Sequence, residues 1–213
     1  MIFFHCLFSI LQHTYALFLA EYPPDFTLLN QNGSPVTFSD ITLNNSGPIV
    51  VFFIPNVSSK ATLWEFNAIQ QYLKNFSAIN STVLLVTTSS VEENAHLVTE
   101  YNFNFTLLSD SDNSLIRSWS VPKGLNKSFH RTTYVFTPDG YLSFICKRTF
   151  YPGLHASRAF KHAKKLVHNR CSNSSSDTSD FHLNTPETMI LDSLLNTSLT
   201  QLDLSIGDRT DDS

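Results

Sequence analysis

The sequence has few of the residues from which proteins usually build reactive or metal-binding sites. Only three of its 213 residues are cysteine, namely Cys6, Cys146 and Cys171, and they show no Cys-x-x-Cys or other metal-ligand spacing. The six glycines form no phosphate-binding loop, and the histidines have no i, i+4 ligand pattern within a helix. We therefore expect no metal and no cofactor.

Charged residues are also scarce, at 15% of the chain, and the formal net charge is -4. A general nucleic-acid-binding protein would carry a basic surface, so we expect no nucleic-acid partner. Hydrophobic residues make up 42% of the chain and aromatic residues 13%. This content is enough for one well-packed core, and at this length a second full domain is not expected.

The first twenty residues contain no Asp, Glu, Lys or Arg. Such a segment resembles a signal peptide, with a cleavage position at Ala16 or Ala20, and this interpretation predicts a secretory or extracellular protein. An uncleaved membrane anchor is a second interpretation, and it is the only one that would give the chain a membrane partner. A third is a poorly chosen start codon or an extra surface segment, on a protein of the cytoplasm or nucleus.

Glycosylation sequons, Asn-x-Ser/Thr, favour the secretory interpretation. Composition alone would give about four of these permissive motifs. The chain has nine, beginning at Asn32, Asn44, Asn56, Asn75, Asn80, Asn104, Asn126, Asn173 and Asn196. The excess predicts a glycoprotein.

Residues 21–170 have the pattern of one α/β domain. Residues 49–54 are a continuous apolar run, typical of a strand buried on both faces, and Pro55 ends it. Residues 59–76 then carry apolar side chains at helical spacing. Further segments predict strands over 26–29, 36–38, 82–88, 105–108, 132–137 and 141–147, and helices over 91–101, 112–119 and 154–168. The expected fold is a central mixed β-sheet with helices on both faces.

The last part of the chain, residues 171–213, is rich in Ser, Asn, Asp and Thr. This composition predicts a mostly disordered tail, in which Pro186 to Leu204 is compatible with a short amphipathic helix.

Four strings within residues 22–168 carry a family resemblance. They are Pro24-Asp25-Phe26-Thr27-Leu28, Phe105-Thr106-Leu107-Leu108-Ser109-Asp110, Trp119-Ser120-Val121-Pro122-Lys123 and Arg131-Thr132-Thr133-Tyr134-Val135-Phe136. In this order and spacing they resemble the peroxiredoxins, most closely the bacterioferritin comigratory protein or Q-type branch. The resemblance implies a thioredoxin-like fold and, for the family, thioredoxin-dependent reduction of hydroperoxides.

The resemblance also assigns site residues. Pro55, Ser59 and Arg131 match the family's peroxide-binding residues, but Thr62 stands at the position of the peroxidatic cysteine. Where many members have a resolving cysteine, this chain has Asn67. A threonine hydroxyl is too weak an acid to ionise at pH 7, even if its pKa were lowered by about 5 units. We therefore expect no catalytic residue, only a remnant peroxide pocket of Pro55, Ser59, Thr62 and Arg131.

These residues also have purely structural interpretations. Thr62-Leu63-Trp64-Glu65 fits the Ser/Thr-x-x-Glu capping box of a helix start. Arg131 is expected to pair with Glu65, which matches an acidic residue of the family. Ser59 fits a turn or cap.

Three functions follow from these observations. The first is a non-catalytic peroxiredoxin-like module, monomeric or homodimeric, that binds a protein partner or a small polar ligand. The second is an enzyme with another mechanism, or a peroxidase whose thiol is Cys146 or Cys171. The third is a decaying gene copy under little constraint.

Overall fold

Except for one short helix, the strands and helices follow one another along the chain in the predicted order. The computed structural model describes residues 17–55, 57, 59–123, 129–147 and 151–174, without the side chains of 171–174. The predicted leader up to residue 16, Cys6 and the tail from residue 175, including its predicted helix, lie outside the described residues. All elements below belong to the unit Met1–Ser175.

The strands are β1 (Thr27–Asn30), β2 (Pro35–Thr37), β3 (Ile49–Phe53), β4 (Thr82–Thr87), β5 (Thr106–Ser109), β6 (Thr132–Phe136) and β7 (Leu142–Cys146). The helices are α1 (Phe38–Asn44), α2 (Lys60–Ser77), α3 (Val91–Tyr101), α4 (Ser114–Ser118) and α5 (Gly153–Ser174). In the described part of the chain, no helix combines the length and the hydropathy that a membrane crossing requires.

The seven strands form one mixed sheet in the order β2-β1-β5-β4-β3-β6-β7. β3 is parallel to β4, and β4 is parallel to β5, whereas β6 is antiparallel to β3. Every residue of β3 is buried because other strands flank it and helices cover both of its faces. The continuous apolar run in the sequence is explained by this central position.

Helices pack on both faces of the sheet, as expected. On one face Val50 and Phe52 join the buried side chains of α2, α3 and α5. On the other face Val51 and Phe53 join those of α1 and α4, together with Trp119. The predicted α/β fold with a central mixed sheet is confirmed, and it is the thioredoxin-like fold.

Helix α1 was not predicted from the sequence. At seven residues it is too short to show a clear helical period, and its start falls where the second strand of the hairpin was expected to end. Its first residue, Phe38, is fully buried and contacts the rings of Phe26, Trp119 and Phe136. Tertiary packing of this ring therefore fixes the helix.

Candidate functional site

The carboxyl end of β3 brings the predicted site residues to one edge of the sheet. Pro55 follows β3, and α2 begins five residues later at Lys60. Arg131 directly precedes β6, and the antiparallel register pairs Phe53 with Thr132. The last residue of β3 and the first of β6 therefore lie side by side, which places Arg131 close to the start of α2.

Ser59, and not Thr62, caps helix α2. The Ser59 Oγ accepts a hydrogen bond of 3.1 Å from the backbone N–H of Thr62, which is the third residue of the helix. The predicted capping box of Thr62 and Glu65 is wrong because the helix begins one turn earlier than that motif requires. The interpretation of Ser59 as a cap is confirmed.

The Thr62 hydroxyl is fully buried and has three hydrogen-bond partners among the described residues. Its Oγ1 donates to the carbonyl of Pro55 at 3.2 Å. It lies 2.9 Å from Ser59 Oγ and accepts a hydrogen bond of 2.8 Å from Arg131 Nη2. A hydroxyl has one proton and two lone pairs, so these partners leave no unused donor or acceptor on Thr62 Oγ1.

Arg131 also forms an ion pair with Glu65, as predicted. Its Nε donates to Glu65 Oε2 at 2.8 Å, and the two side chains are 9% and 1% exposed. The guanidinium group therefore donates hydrogen bonds to a carboxylate and to a hydroxyl, both of which belong to residues of α2. This charge-assisted contact fixes the orientation of the planar guanidinium against the helix.

Glu65 is a buried carboxyl group with an unusual environment. Burial raises its pKa to about 7, although the charge of Arg131 and its hydrogen bond act in the opposite direction. The second oxygen, Oε1, is buried and has no hydrogen-bond partner in the described part of the chain. An unpartnered carboxylate oxygen favours the protonated form for the same reason, since the charge is not solvated.

Among the described residues these contacts form one polar network, made of Pro55, Ser59, Thr62, Glu65 and Arg131. Its cation is balanced by a carboxylate, and its side-chain groups at the helix start are the neutral hydroxyls of Ser59 and Thr62. Among the described residues the network contains no thiol. Its strongest chemical capability is to hold a small polar group or to stabilise the junction of β3, α2 and β6.

The described cysteine lies outside this network. Cys146 ends β7, the edge strand next to β6, and is 3% exposed. It pairs in register with Thr133, whose Oγ1 lies 2.6 Å from Nδ1 of the fully buried His155. The Thr133–His155 contact was missed at the sequence level because the two residues come from β6 and α5, and no motif links them. Asn67 is exposed on α2, and the side chain of Cys171 lies outside the described residues.

Comparisons with known sequences and with solved structures both find peroxiredoxins. The model of the AhpC/TSA family matches residues 20–145. Among similar sequences, peroxiredoxin Q, chloroplastic, of Sedum lineare is 29% identical over 145 residues, which are 68% of this chain and 76% of the relative. Peroxiredoxin Q, chloroplastic, of Arabidopsis thaliana is 28% identical over 142 residues, which are 66% of this chain and 64% of the relative.

Solved structures have the same fold. The peroxidoxin BcpB of Mycobacterium tuberculosis superposes with a TM-score of 0.64 at 25% identity, over 70% of this chain and 98% of that chain. The bacterioferritin comigratory protein of Xanthomonas campestris gives a TM-score of 0.61 at 22% identity, over 67% of this chain and 92% of that chain.

Proposed function

The chain belongs to the AhpC/TSA family, in its peroxiredoxin Q branch, and we propose that it is a member without thiol peroxidase activity that acts as a binding or regulatory module. One observation carries the proposal. Thr62 stands where the family resemblance expects the reactive thiolate, and its hydroxyl is buried with its hydrogen-bonding capacity used by Pro55, Ser59 and Arg131.

The reaction of the family shows why this substitution matters. A thiolate sulfur attacks one peroxide oxygen, the O–O bond breaks, and the products are a sulfenic acid and water or an alcohol. A threonine hydroxyl stays protonated at neutral pH, and its oxygen has no comparable oxidation ladder. The network around Thr62 therefore supports binding and structure, without turnover.

A peroxide-consumption assay tests the proposal. The purified chain is incubated with hydrogen peroxide or an alkyl hydroperoxide and a thiol reductant, and peroxide is measured over time. We expect a rate equal to that of the reductant alone. Catalytic consumption at rates typical of peroxiredoxins would overturn the proposal.

The second candidate is a peroxidase that uses another thiol. One observation favours it. The buried Cys146 on β7 pairs in register with Thr133 on β6, and Thr133 contacts the imidazole of His155. An imidazole therefore lies near the strand pair that carries the Cys146 thiol. Any activity of this kind would be lost in Cys146→Ser or Cys171→Ser, or on alkylation. Activity that survives both substitutions would exclude this candidate.

For localisation, we propose entry into the secretory pathway, with cleavage after Ala16. Leu17 is 6% exposed and packs in the core. The backbone N–H of Ala20 donates to the carbonyl of Leu142 at 2.7 Å, and Glu21 accepts from Leu142 N–H at 2.8 Å. Cleavage after Ala20 would remove Leu17 and the Ala20 contact, whereas cleavage after Ala16 leaves both. Mass spectrometry of the native N-terminus tests this, and a chain that retains Met1 would contradict it.

A further inference from the structure

Five sequon asparagines have described side chains, and all five are exposed. They are Asn32, Asn44, Asn75, Asn80 and Asn104. The sequons at Asn56, Asn126 and Asn196 and the side chain of Asn173 lie outside the described residues. Exposure is a requirement for a folded protein to carry an N-linked glycan, because the first sugar and its branches need solvent around them.

Three of the five line one cleft of about 510 Å³. Asn44 is the last residue of α1, Asn80 precedes β4, and Asn104 precedes β5. The cleft also contains two hydroxyl residues of these sequons, Ser46 and Thr106. Because β3, β4 and β5 are parallel, the segments before them meet at a single edge of the sheet. Sequons distant in sequence are thereby collected in one place.

The other two exposed asparagines lie at the same edge. The turn that holds Asn32 lies beside the start of β5, since Gln31 Nε2 donates to the carbonyl of Phe105 at 3.3 Å. Asn75 is in the last turn of α2, and Ser77, the hydroxyl residue of its sequon, lines the cleft. Every described sequon asparagine is therefore at the edge where the three parallel strands begin.

The network around Thr62 is at the opposite edge. It lies beyond the carboxyl end of β3, and a strand of five residues spans about 17 Å at 3.3–3.4 Å per residue. Glycans at the strand starts would leave the Thr62 edge uncovered. A binding function at the Thr62 edge is therefore compatible with glycosylation of the edge where β3, β4 and β5 begin.

The backbone at these positions suits asparagine and an outward side chain. Asn80 has φ of 53°, in the left-handed region that asparagine tolerates better than most residues. Asn44 Nδ2 donates only locally among the described residues, to the carbonyl of Asp40 one turn earlier, at 2.8 Å. Both side chains are exposed, so a substituent on either amide has access to solvent.

We propose that this edge is an N-glycosylated surface, with oligosaccharides on Asn44, Asn80 and Asn104. The donor would be a lipid-diphosphate-linked oligosaccharide. The side-chain amide nitrogen loses a proton and bonds to the anomeric carbon, while the bond from that carbon to the diphosphate breaks and the lipid diphosphate leaves. This inference rests on the secretory localisation proposed above and is independent of peroxidase activity.

Translation of the full chain with endoplasmic-reticulum microsomes tests it. Protection from added protease reports translocation, and amidase release of glycans in ¹⁸O water marks each occupied asparagine for mass spectrometry. We expect a protected chain with label at Asn44, Asn80 and Asn104. In each of Asn44→Gln, Asn80→Gln and Asn104→Gln, one glycan should be lost.

Asn102→Gln is the matched control. Asn102 has the same left-handed backbone as Asn80, with φ of 52°, and is exposed, but it begins no sequon. This variant should keep every glycan. A protected chain without label at the three asparagines would overturn the glycosylation proposal alone. A chain that is not protected would overturn it together with the secretory proposal, and neither result would affect the peroxide assay.

Discussion

Arg131 Nη2 donates a hydrogen bond of 2.8 Å to Thr62 Oγ1, while Nε of the same guanidinium group donates to Glu65 at 2.8 Å. One side chain from the start of β6 therefore contacts two residues one turn apart on α2. Thr62 accepts from a cation and shares a hydrogen bond with Ser59, at the first turn of a long helix. These are the surroundings that stabilise an anion, although the oxygen they surround is neutral.

Thr62→Cys should convert these surroundings into a reactive thiol. Arg131 and the positive end of the α2 dipole favour the thiolate, so we expect its pKa to fall below the ordinary value of about 8.5. The pH dependence of alkylation or of thiolate absorbance measures this pKa. Thr62→Ser is the control and should gain no thiol reactivity. A pKa near 8.5 in Thr62→Cys, with no faster reaction with peroxide, would contradict the prediction.

Thr62→Val should destabilise the fold, because it keeps the shape of the side chain and removes the hydroxyl. Arg131 Nη2 and the carbonyl of Pro55 would each lose a buried partner. A buried polar group left without its partner costs about 1–3 kcal/mol. Urea unfolding measures the loss. The control is Thr99→Val on α3, where the exposed hydroxyl donates within its own helix to the carbonyl of Ala95, and its effect should stay within about 0.5 kcal/mol. Equal effects of the two substitutions would contradict the interpretation.

Glu65→Ala should cost about 3–5 kcal/mol of unfolding free energy, because it leaves the Arg131 cation buried and uncompensated. The control is Asp139→Ala, which breaks a 3.6 Å pair with Arg170 between side chains that are 69% and 58% exposed. Exposed pairs contribute about 0–1 kcal/mol. Chemical unfolding at pH 8 compares the two variants. A change below 1 kcal/mol in Glu65→Ala would show that the buried pair does not stabilise the junction of α2 and β6.

The contribution of Glu65 to stability should fall as pH rises. Its pKa is about 7 in the folded chain and 4.5 as a model value, so between these limits the folded state binds more protons than the unfolded state. The stabilisation that comes from this extra proton on Glu65 is fully present below pH 4.5 and is lost by about pH 7. The change in unfolding free energy is on the order of 3 kcal/mol. The difference in unfolding free energy between the native chain and Glu65→Gln isolates this effect. A difference that is independent of pH would refute it.

His162 should give a pH dependence of the opposite sign. Burial lowers its pKa to about 4 from 6.5, and the charge of Lys165 acts in the same direction. Its ring stacks on Phe144 and bonds to Ser143. The unfolded state therefore binds more protons between pH 4 and 6.5, and stability is lost as pH falls through this range. In His162→Gln the loss between pH 6.5 and 4 should be smaller than in the native chain. An unchanged acid profile would exclude His162 as its source.

The order of secondary structure was predictable from local patterns. The apolar run before Pro55 predicted a central strand, and β3 is that strand. Residues 91–101 were predicted as a helix, and α3 has the same bounds. Such elements carry their periodicity within one short segment, so their positions follow from the sequence. The position of helix α1 does not follow from the sequence, since it depends on the packing of Phe38 against rings from three other segments.

The candidate site was predicted in part. The sequence indicated Thr62 at the cysteine position and the pairing of Arg131 with Glu65, but it offered both Ser59 and Thr62 as helix caps, of which only Ser59 is correct. Ser59 and Thr62 are both good capping residues, and only the path of the chain after Pro55 decides between them. Nor could the sequence show that Arg131 bonds to Thr62, because Arg131 directly precedes β6 and is 69 residues away along the chain.

The sequence by itself determined the family, the order of every element except α1, the absence of a cysteine at position 62 and the excess of sequons, because these are properties of residue identity and local spacing. The tertiary structure decided which of those residues meet. Parallel pairing of β3, β4 and β5 gathers the described sequons at one edge, and antiparallel pairing of β3 with β6 brings Arg131 to Thr62 at the other. Strand pairing acts between distant segments, so no local pattern in the sequence records it.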